Sequence, residues 1–170
     1  MSAPKIYVDM DGVVADFNRG WKEFTGNEIN NWVVITGDEW KYLKKQWPTF
    51  WMDLELMPYA TQLWDALKPY NPEILTAYPD NGWKEAGVGK TVWARTVLGG
   101  NPVVHAVARS QKKDYAKQRD GTPNILIDDM ERNIDEWERA GGVGIRYIPS
   151  ASMVRRVIQT IEAQMGEDDE

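Results

Sequence analysis

The sequence predicts an α/β protein, a parallel sheet flanked by helices, and three observations carry that reading. From residue 58 onward short apolar segments alternate with stretches of helical period, the pattern of strand-helix-strand units. Glycine pairs at Gly99-Gly100 and Gly141-Gly142 stop the helical stretches, since glycine takes the left-handed conformation that ends a helix. Several apolar segments end in polar or acidic residues, as expected where the carboxyl ends of parallel strands share one ligand-binding edge.

The first strand spans Lys5 to Val8 and is followed by Asp9, Asp11 and Gly12. From about Asn18 to Met57 the alternation is interrupted. Trp21, Phe24, Ile29, Trp32, Trp40, Leu43 and Trp47 recur at roughly helical spacing, with breaks at Gly26 and Gly37, so this region reads as a small helical insertion. Asp38 and Glu39 suit the start of one of its helices and Pro48 its end. Pro58 opens a helix over 59–68 whose inner face carries Leu63, Trp64 and Leu67. A second strand runs from Pro72 toward Tyr78 and ends its apolar run at Thr76, before a turn through Pro79, Asp80, Asn81 and Gly82.

A helix over 83–98 follows, then a third strand over 103–108 containing His105, which reads as a hydrogen-bonded core residue. Ser110 is placed to cap a helix bearing Lys112, Lys113, Tyr115 and Ala116. The fourth strand, 124–127, ends in Asp128 and Asp129; a helix over 130–140 and a fifth strand over 143–148 come next. Ser150 caps the last helix, whose inner face holds Val154, Val157, Ile158 and Ile161. The expected division is a core of residues 1–17 and 58–165, an insertion of 18–57 and an acidic tail of 166–170.

Composition removes several function classes. A chain of 170 residues with 42% hydrophobic content can bury one sizeable core. It has no cysteine, hence no disulfide, thiolate nucleophile or cysteine zinc site, and one histidine cannot build a histidine-rich metal centre. A net charge of −6 disfavours a nucleic-acid backbone as partner. No apolar run reaches membrane-spanning length and no apolar leader precedes the first strand, so a cytoplasmic location is expected, without a membrane partner.

The chemistry gathers at the strand ends. Asp9 and Asp11 leave the same strand one residue apart, where mutual repulsion calls for a cation or a shared proton. An EF-hand loop is excluded, because Val13 and Ala15 stand where oxygen donors are needed. Asp128 and Asp129, the Thr76 hydroxyl and the lysines after the third strand join the same edge. Carboxylates for a divalent ion, a nucleophile and groups that neutralise phosphate oxygens form the set that phosphoryl transfer uses.

Asp9, Asp11 and Val13 in the pattern Asp-x-Asp-x-Val, a threonine ending strand two, a lysine, and Asp128-Asp129 after an apolar strand resemble the four motifs of the haloacid dehalogenase-like (HAD) phosphatases. Their order and strand context match across nearly the whole chain. Within that superfamily the run from Tyr7 to Phe17, and the segment Phe50 to Glu55 followed by Met57-Pro58, are most similar to the 5'(3')-deoxyribonucleotidases. The resemblance implies a Rossmann-like HAD core with a helical cap, residues 18–57, inserted after the first strand. It implies Asp9 as the nucleophile that forms an aspartyl-phosphate, and Asp11 as general acid and base with its backbone carbonyl on the metal.

It further implies that Thr76 and Lys113 bind the transferring phosphate, with Lys112 and Lys117 close enough to serve instead. Asp129 would ligate Mg²⁺ with Asp128 beside it, and Phe17, Phe50, Trp51 and Thr76 would line the substrate pocket. The chain departs from the nucleotidases at Ala77, where those enzymes tend to carry a serine, and in a longer stretch between the lysines and Asp128.

The expected function is a Mg²⁺-dependent phosphomonoesterase acting on nucleoside monophosphates. The alternatives are a sugar phosphatase or nucleic-acid 3'-phosphatase of the same fold, and a non-catalytic module that binds Mg²⁺ and nucleotide. Oligomeric state stays open, a homodimer included.

Overall fold

The computed structural model describes residues 2–29, 35–79 and 83–166. Trp32, the turn residues Asp80, Asn81 and Gly82, and the tail beyond Gly166 lie outside the described residues.

Five parallel strands form one sheet: β1 (Ile6–Val8), β2 (Glu73–Ala77), β3 (Val104–Val107), β4 (Ile125–Asp128) and β5 (Val143–Arg146). Their spatial order is β3-β2-β1-β4-β5. The chain steps outward from β1 to β3, then returns to the other side of β1 for β4. The order therefore reverses between β1 and β4, and α/β sheets bind ligands at the carboxyl ends of the strands flanking such a reversal. The α/β parallel-sheet class is as the sequence predicts.

The three central strands, β2, β1 and β4, are buried on both faces because helices cover both. Ile6, Val8, Ile74, Ile125 and Ile127 belong to one buried cluster with Leu63, Leu67, Trp93, Val157 and Ile161. Tyr7, Leu75 and Leu126, one residue out of phase, belong to another with Ile134 and Trp137. The alternation follows from the two-residue period of a strand. The helices on the first face are α3 (Ala60–Leu67), α4 (Ala86–Trp93) and α6 (Ala151–Gly166), and α5 (Glu131–Arg139) covers the second. Each fully buried aliphatic side chain contributes about 1.5–3 kcal/mol.

Among the described residues, 17–52 add no strand. They hold α1 (Phe17–Thr25), α2 (Gly37–Gln46) and a 3₁₀ turn at Phe50–Met52. Gly26 ends α1 with φ of 76°, whereas Gly37 begins a helix instead of breaking one. Thr36 caps α2 there, with its hydroxyl accepting from the Glu39 amide and the Glu39 carboxylate accepting from the Thr36 amide. The chain enters and leaves this segment through paired backbone: Asp16 N–H donates to Glu55 O at 2.8 Å and Met57 N–H to Val14 O at 2.8 Å. Trp21, Leu43, Phe50 and Trp51 share the buried cluster of the sheet's first face.

Two helices differ in kind from expectation. The helix over 83–98 is α4 followed by a π-helical turn, Ala94–Leu98, and such turns recur at functional sites. The helix expected to start at Ser110 is a 3₁₀ segment, Arg109–Tyr115, whose opening amide at Ala108 donates to Gln111 Oε1 at 3.0 Å. Ser150 does cap α6, accepting from the Met153 amide at 3.1 Å. Among the described residues no helix is long and apolar enough to cross a membrane.

Candidate functional site

β1 delivers Asp9 to the sheet edge, and its backbone stays in the ladder, with Asp9 N–H donating to Ile127 O at 2.9 Å. The chain then turns tightly: the amides of Val13, Val14 and Ala15 all donate to Met10 O, at 3.3, 3.0 and 2.9 Å. Gly12 makes the turn feasible, with φ of 84° and a Cα lying against the Asp129 carboxylate, where a Cβ would collide.

β4 supplies Asp128 and Asp129. Asp128 is fully buried; its Oδ1 accepts from the Met130 amide at 2.9 Å, and its Oδ2 from Lys112 Nζ at 2.9 Å and Asn133 Nδ2 at 3.1 Å. Lys112 Nζ also donates to Asp9 Oδ1 at 2.9 Å. Burial works against the Lys112 ammonium, but the Asp9 and Asp128 carboxylates outweigh it and hold the lysine above its ordinary value. Lys113, the lysine assigned from the sequence, is exposed. Lys112 is the lysine that reaches the carboxylates, because consecutive side chains of a 3₁₀ segment leave the axis about a third of a turn apart. Lys117 is exposed too, and its stem packs against Gly141.

The carboxylates of Asp9, Asp128 and Asp129 each offer an oxygen within 4.8 Å of the others. Burial, then repulsion from Asp9 and Asp128, pushes Asp129 up to about 9. Burial and the Asp9 charge raise Asp128 as well, against the pull of Lys112. Three carboxyl groups this close repel one another when ionised, which a proton or a cation relieves, and an all-oxygen donor set suits a hard divalent cation. The cluster therefore fits a metal ion.

Asp11 is not part of that trio. Its Oδ2 accepts from Lys90 Nζ at 2.7 Å, and its Oδ1 is buried with no partner among the described residues. The metal role that the resemblance implies for Asp11 is that of its backbone carbonyl. Thr76, fully buried at the end of β2, also meets Lys90, whose Nζ lies 3.0 Å from Thr76 Oγ1. Lys90, from α4, is fully buried and was not singled out in the sequence. A helical lysine ordinarily reads as a solvated charge; the available signal was the pair Gly87 and Gly89 beside it. Glycine is a poor helix former, and both here allow close approach, Gly89 against Trp51 and Gly87 against Ala106.

The aromatic residues are more enclosed than a ligand pocket requires. Phe50 is 0% and Trp51 3% exposed. Trp51 stacks on Phe17 at 5.5 Å and on Trp40 at 6.0 Å between centroids, and Phe50 meets Phe17 edge-on at 5.8 Å. Phe17 alone of the three is partly exposed. Arg109 is also engaged, donating to Glu136 Oε2 at 2.9 Å and Asn133 Oδ1 at 3.1 Å. His105 Nε2 lies 2.9 Å from Glu73 Oε1.

No family model and no curated protein matches the chain. Solved structures do. A HAD family hydrolase from Deinococcus radiodurans R1, crystallised with bound phosphate and sodium, aligns with TM-score 0.50 and 15% identity over 97% of this chain and 96% of its own. A putative haloacid dehalogenase-like hydrolase from Burkholderia xenovorans LB400 aligns with TM-score 0.50 and 11% identity, covering 91% of this chain and 86% of its own. The chain has the fold of haloacid dehalogenase-like hydrolases.

Proposed function

We propose that the protein is a Mg²⁺-dependent phosphomonoesterase that releases phosphate from nucleoside monophosphates through an aspartyl-phosphate, in the manner of the 5'(3')-deoxyribonucleotidases. The carrying observation is the meeting of Asp9, Asp128, Asp129 and Lys112 at the sheet's switch point. The phosphate bound by the Deinococcus radiodurans neighbour supports a phosphate ester as ligand here.

Asp9 attacks phosphorus with a carboxylate oxygen while Lys112 holds its Oδ1. The ester P–O bond breaks, and its electron pair leaves with the alcohol oxygen, which takes a proton from Asp11. Water then gives a proton to Asp11 and attacks the aspartyl-phosphate, freeing inorganic phosphate and restoring Asp9. Thr76 donates to a phosphate oxygen. Asp9, Asp128 and Asp129 would hold Mg²⁺, with the Asp11 carbonyl, and the ion would neutralise phosphate oxygens that otherwise repel the nucleophile. Residues 18–57 serve as the cap, and Phe17 offers an aromatic face to a base.

A second reading keeps the chemistry and takes a sugar phosphate. The mutual stacking of Phe17, Trp40 and Trp51 favours it, because these rings already cover one another. Phosphate release from nucleoside 5'- and 3'-monophosphates, sugar phosphates and a 3'-phosphorylated oligonucleotide, with Mg²⁺ and with EDTA, separates the readings. Selective Mg²⁺-dependent release from mononucleotides supports the first. Preference for sugar phosphates, or for the strand end, changes the substrate. Nucleotide binding without any release makes the protein a binding module.

A further inference from the structure

Lys90 is a fully buried lysine on α4, and an ammonium has three N–H donors. All three have acceptors in reach: Asp11 Oδ2 at 2.7 Å, Thr76 Oγ1 at 3.0 Å and Ala77 O at 2.7 Å. The ammonium also lies 4.4 Å from the centroid of the Trp51 ring, a cation–π contact. No donor is left over for a substrate phosphate. A buried charge kept with every donor engaged acts on its neighbours.

Those neighbours are two residues that the phosphatase reading uses. Oδ2 of Asp11 is occupied as an acceptor, so a proton carried by Asp11 resides on Oδ1, the oxygen with no partner among the described residues. Thr76 has one O–H to give. Lys90 fills an acceptor direction of that hydroxyl, which turns its proton away from Lys90.

We infer that Lys90 is a positioning residue: it holds the Asp11 carboxyl with Oδ1 free for proton transfer to the leaving oxygen, and directs the Thr76 hydroxyl toward the substrate. This rests on the phosphatase reading above. Trp51 and Gly89 complete the device. Gly89 brings α4 flush against the Trp51 Cβ, and Trp93, on the same helix, donates its Nε1–H to Leu54 O at 2.7 Å. The segment returning from the helical insertion is thereby fixed to the helix that carries Lys90.

The test is leaving-group selectivity. Cleaving the P–O bond of an alkyl phosphate needs a proton on the departing alkoxide; p-nitrophenolate departs without one. In Lys90→Met, kcat/KM for a nucleoside 5'-monophosphate or a sugar phosphate falls on the order of 10²-fold more than for p-nitrophenyl phosphate. With p-nitrophenyl phosphate the variant also shows a burst of nitrophenolate, because the second half-reaction still needs Asp11 as base. Lys90→Gln, which keeps a donor on a shorter stem, shifts the ratio in the same direction and serves where Lys90→Met does not fold. Equal losses on both substrate types, or loss of the fold in both variants, assign Lys90 a purely structural role and overturn the inference. A wild-type protein that hydrolyses none of the three esters overturns the phosphatase reading itself, and the inference with it.

Discussion

Lys112 and Asp9 stand 103 positions apart in the chain, yet the Lys112 ammonium donates to Asp9 Oδ1 at 2.9 Å with both side chains almost wholly enclosed. The same nitrogen reaches Asp128 at the same distance. A buried charge pair is costly to break from one side, about 3–5 kcal/mol, because the survivor is left uncompensated. Lys112→Ala should therefore destabilise by about that amount and abolish turnover. Lys113→Ala, at an exposed position, should stay within about 0.5 kcal/mol of the parent. Denaturant melts of the two variants check this, and equal effects would contradict the assignment of Lys112.

Asp9→Asn retains the shape of the side chain and removes its nucleophilicity. Turnover should fall on the order of 10⁴-fold or more while circular dichroism stays unchanged. Residual activity near the parent's would refute Asp9 as nucleophile.

Asp129 sits at about 9 in the folded chain against an ordinary carboxyl value of 3.8. A carboxyl that binds its proton more tightly when folded contributes stability in full below the ordinary value, and that contribution is lost as pH rises through about 9. A bound divalent cation would substitute for the proton. The thermal midpoint of the metal-free protein should fall across this window, and Mg²⁺ should raise it more at about pH 8 than at about pH 5. A Mg²⁺ effect independent of pH would count against the carboxylate site.

Gly12→Ala places a methyl against the Asp129 carboxylate and at a positive φ. The strain of the left-handed conformation alone costs about 1–2 kcal/mol. The sharper outcome is a loss of Mg²⁺-dependent stabilisation, measured as the shift in thermal midpoint on adding the ion. A variant that keeps the full shift would show that Asp129 can move aside freely.

Much of the fold was legible because its signals are local. Glycine at Gly99 and Gly141 takes positive φ where the helices end, and Ser150 caps the last helix through its own hydroxyl; the Thr36 cap went unread because Gly37 beside it looked like a break. The polar strand ends could be read because a parallel sheet gathers them on one edge whatever the details of packing. Lys112 and Lys113 could not be told apart, since the difference is a rotation about one short helical axis that adjacent identical residues do not encode. Phe50 and Trp51 show the limit of aromatic patterns: residues suited to stacking on a ligand are equally suited to stacking on Phe17 and Trp40. Lys90 escaped notice because its partners come from other elements, Asp11 from the turn after β1 and Thr76 from β2.

The Lys90 ammonium lying over Trp51 has an optical consequence. A fixed positive charge beside an indole shifts the energy of its excited state, and two indoles as near as Trp40 and Trp51, 6.0 Å between centroids and 28° between planes, couple as oscillators and split their absorption into a circularly dichroic pair. The seam between the helical insertion and the sheet is thus a built-in chromophore, and light alone can follow its registry without any attached label.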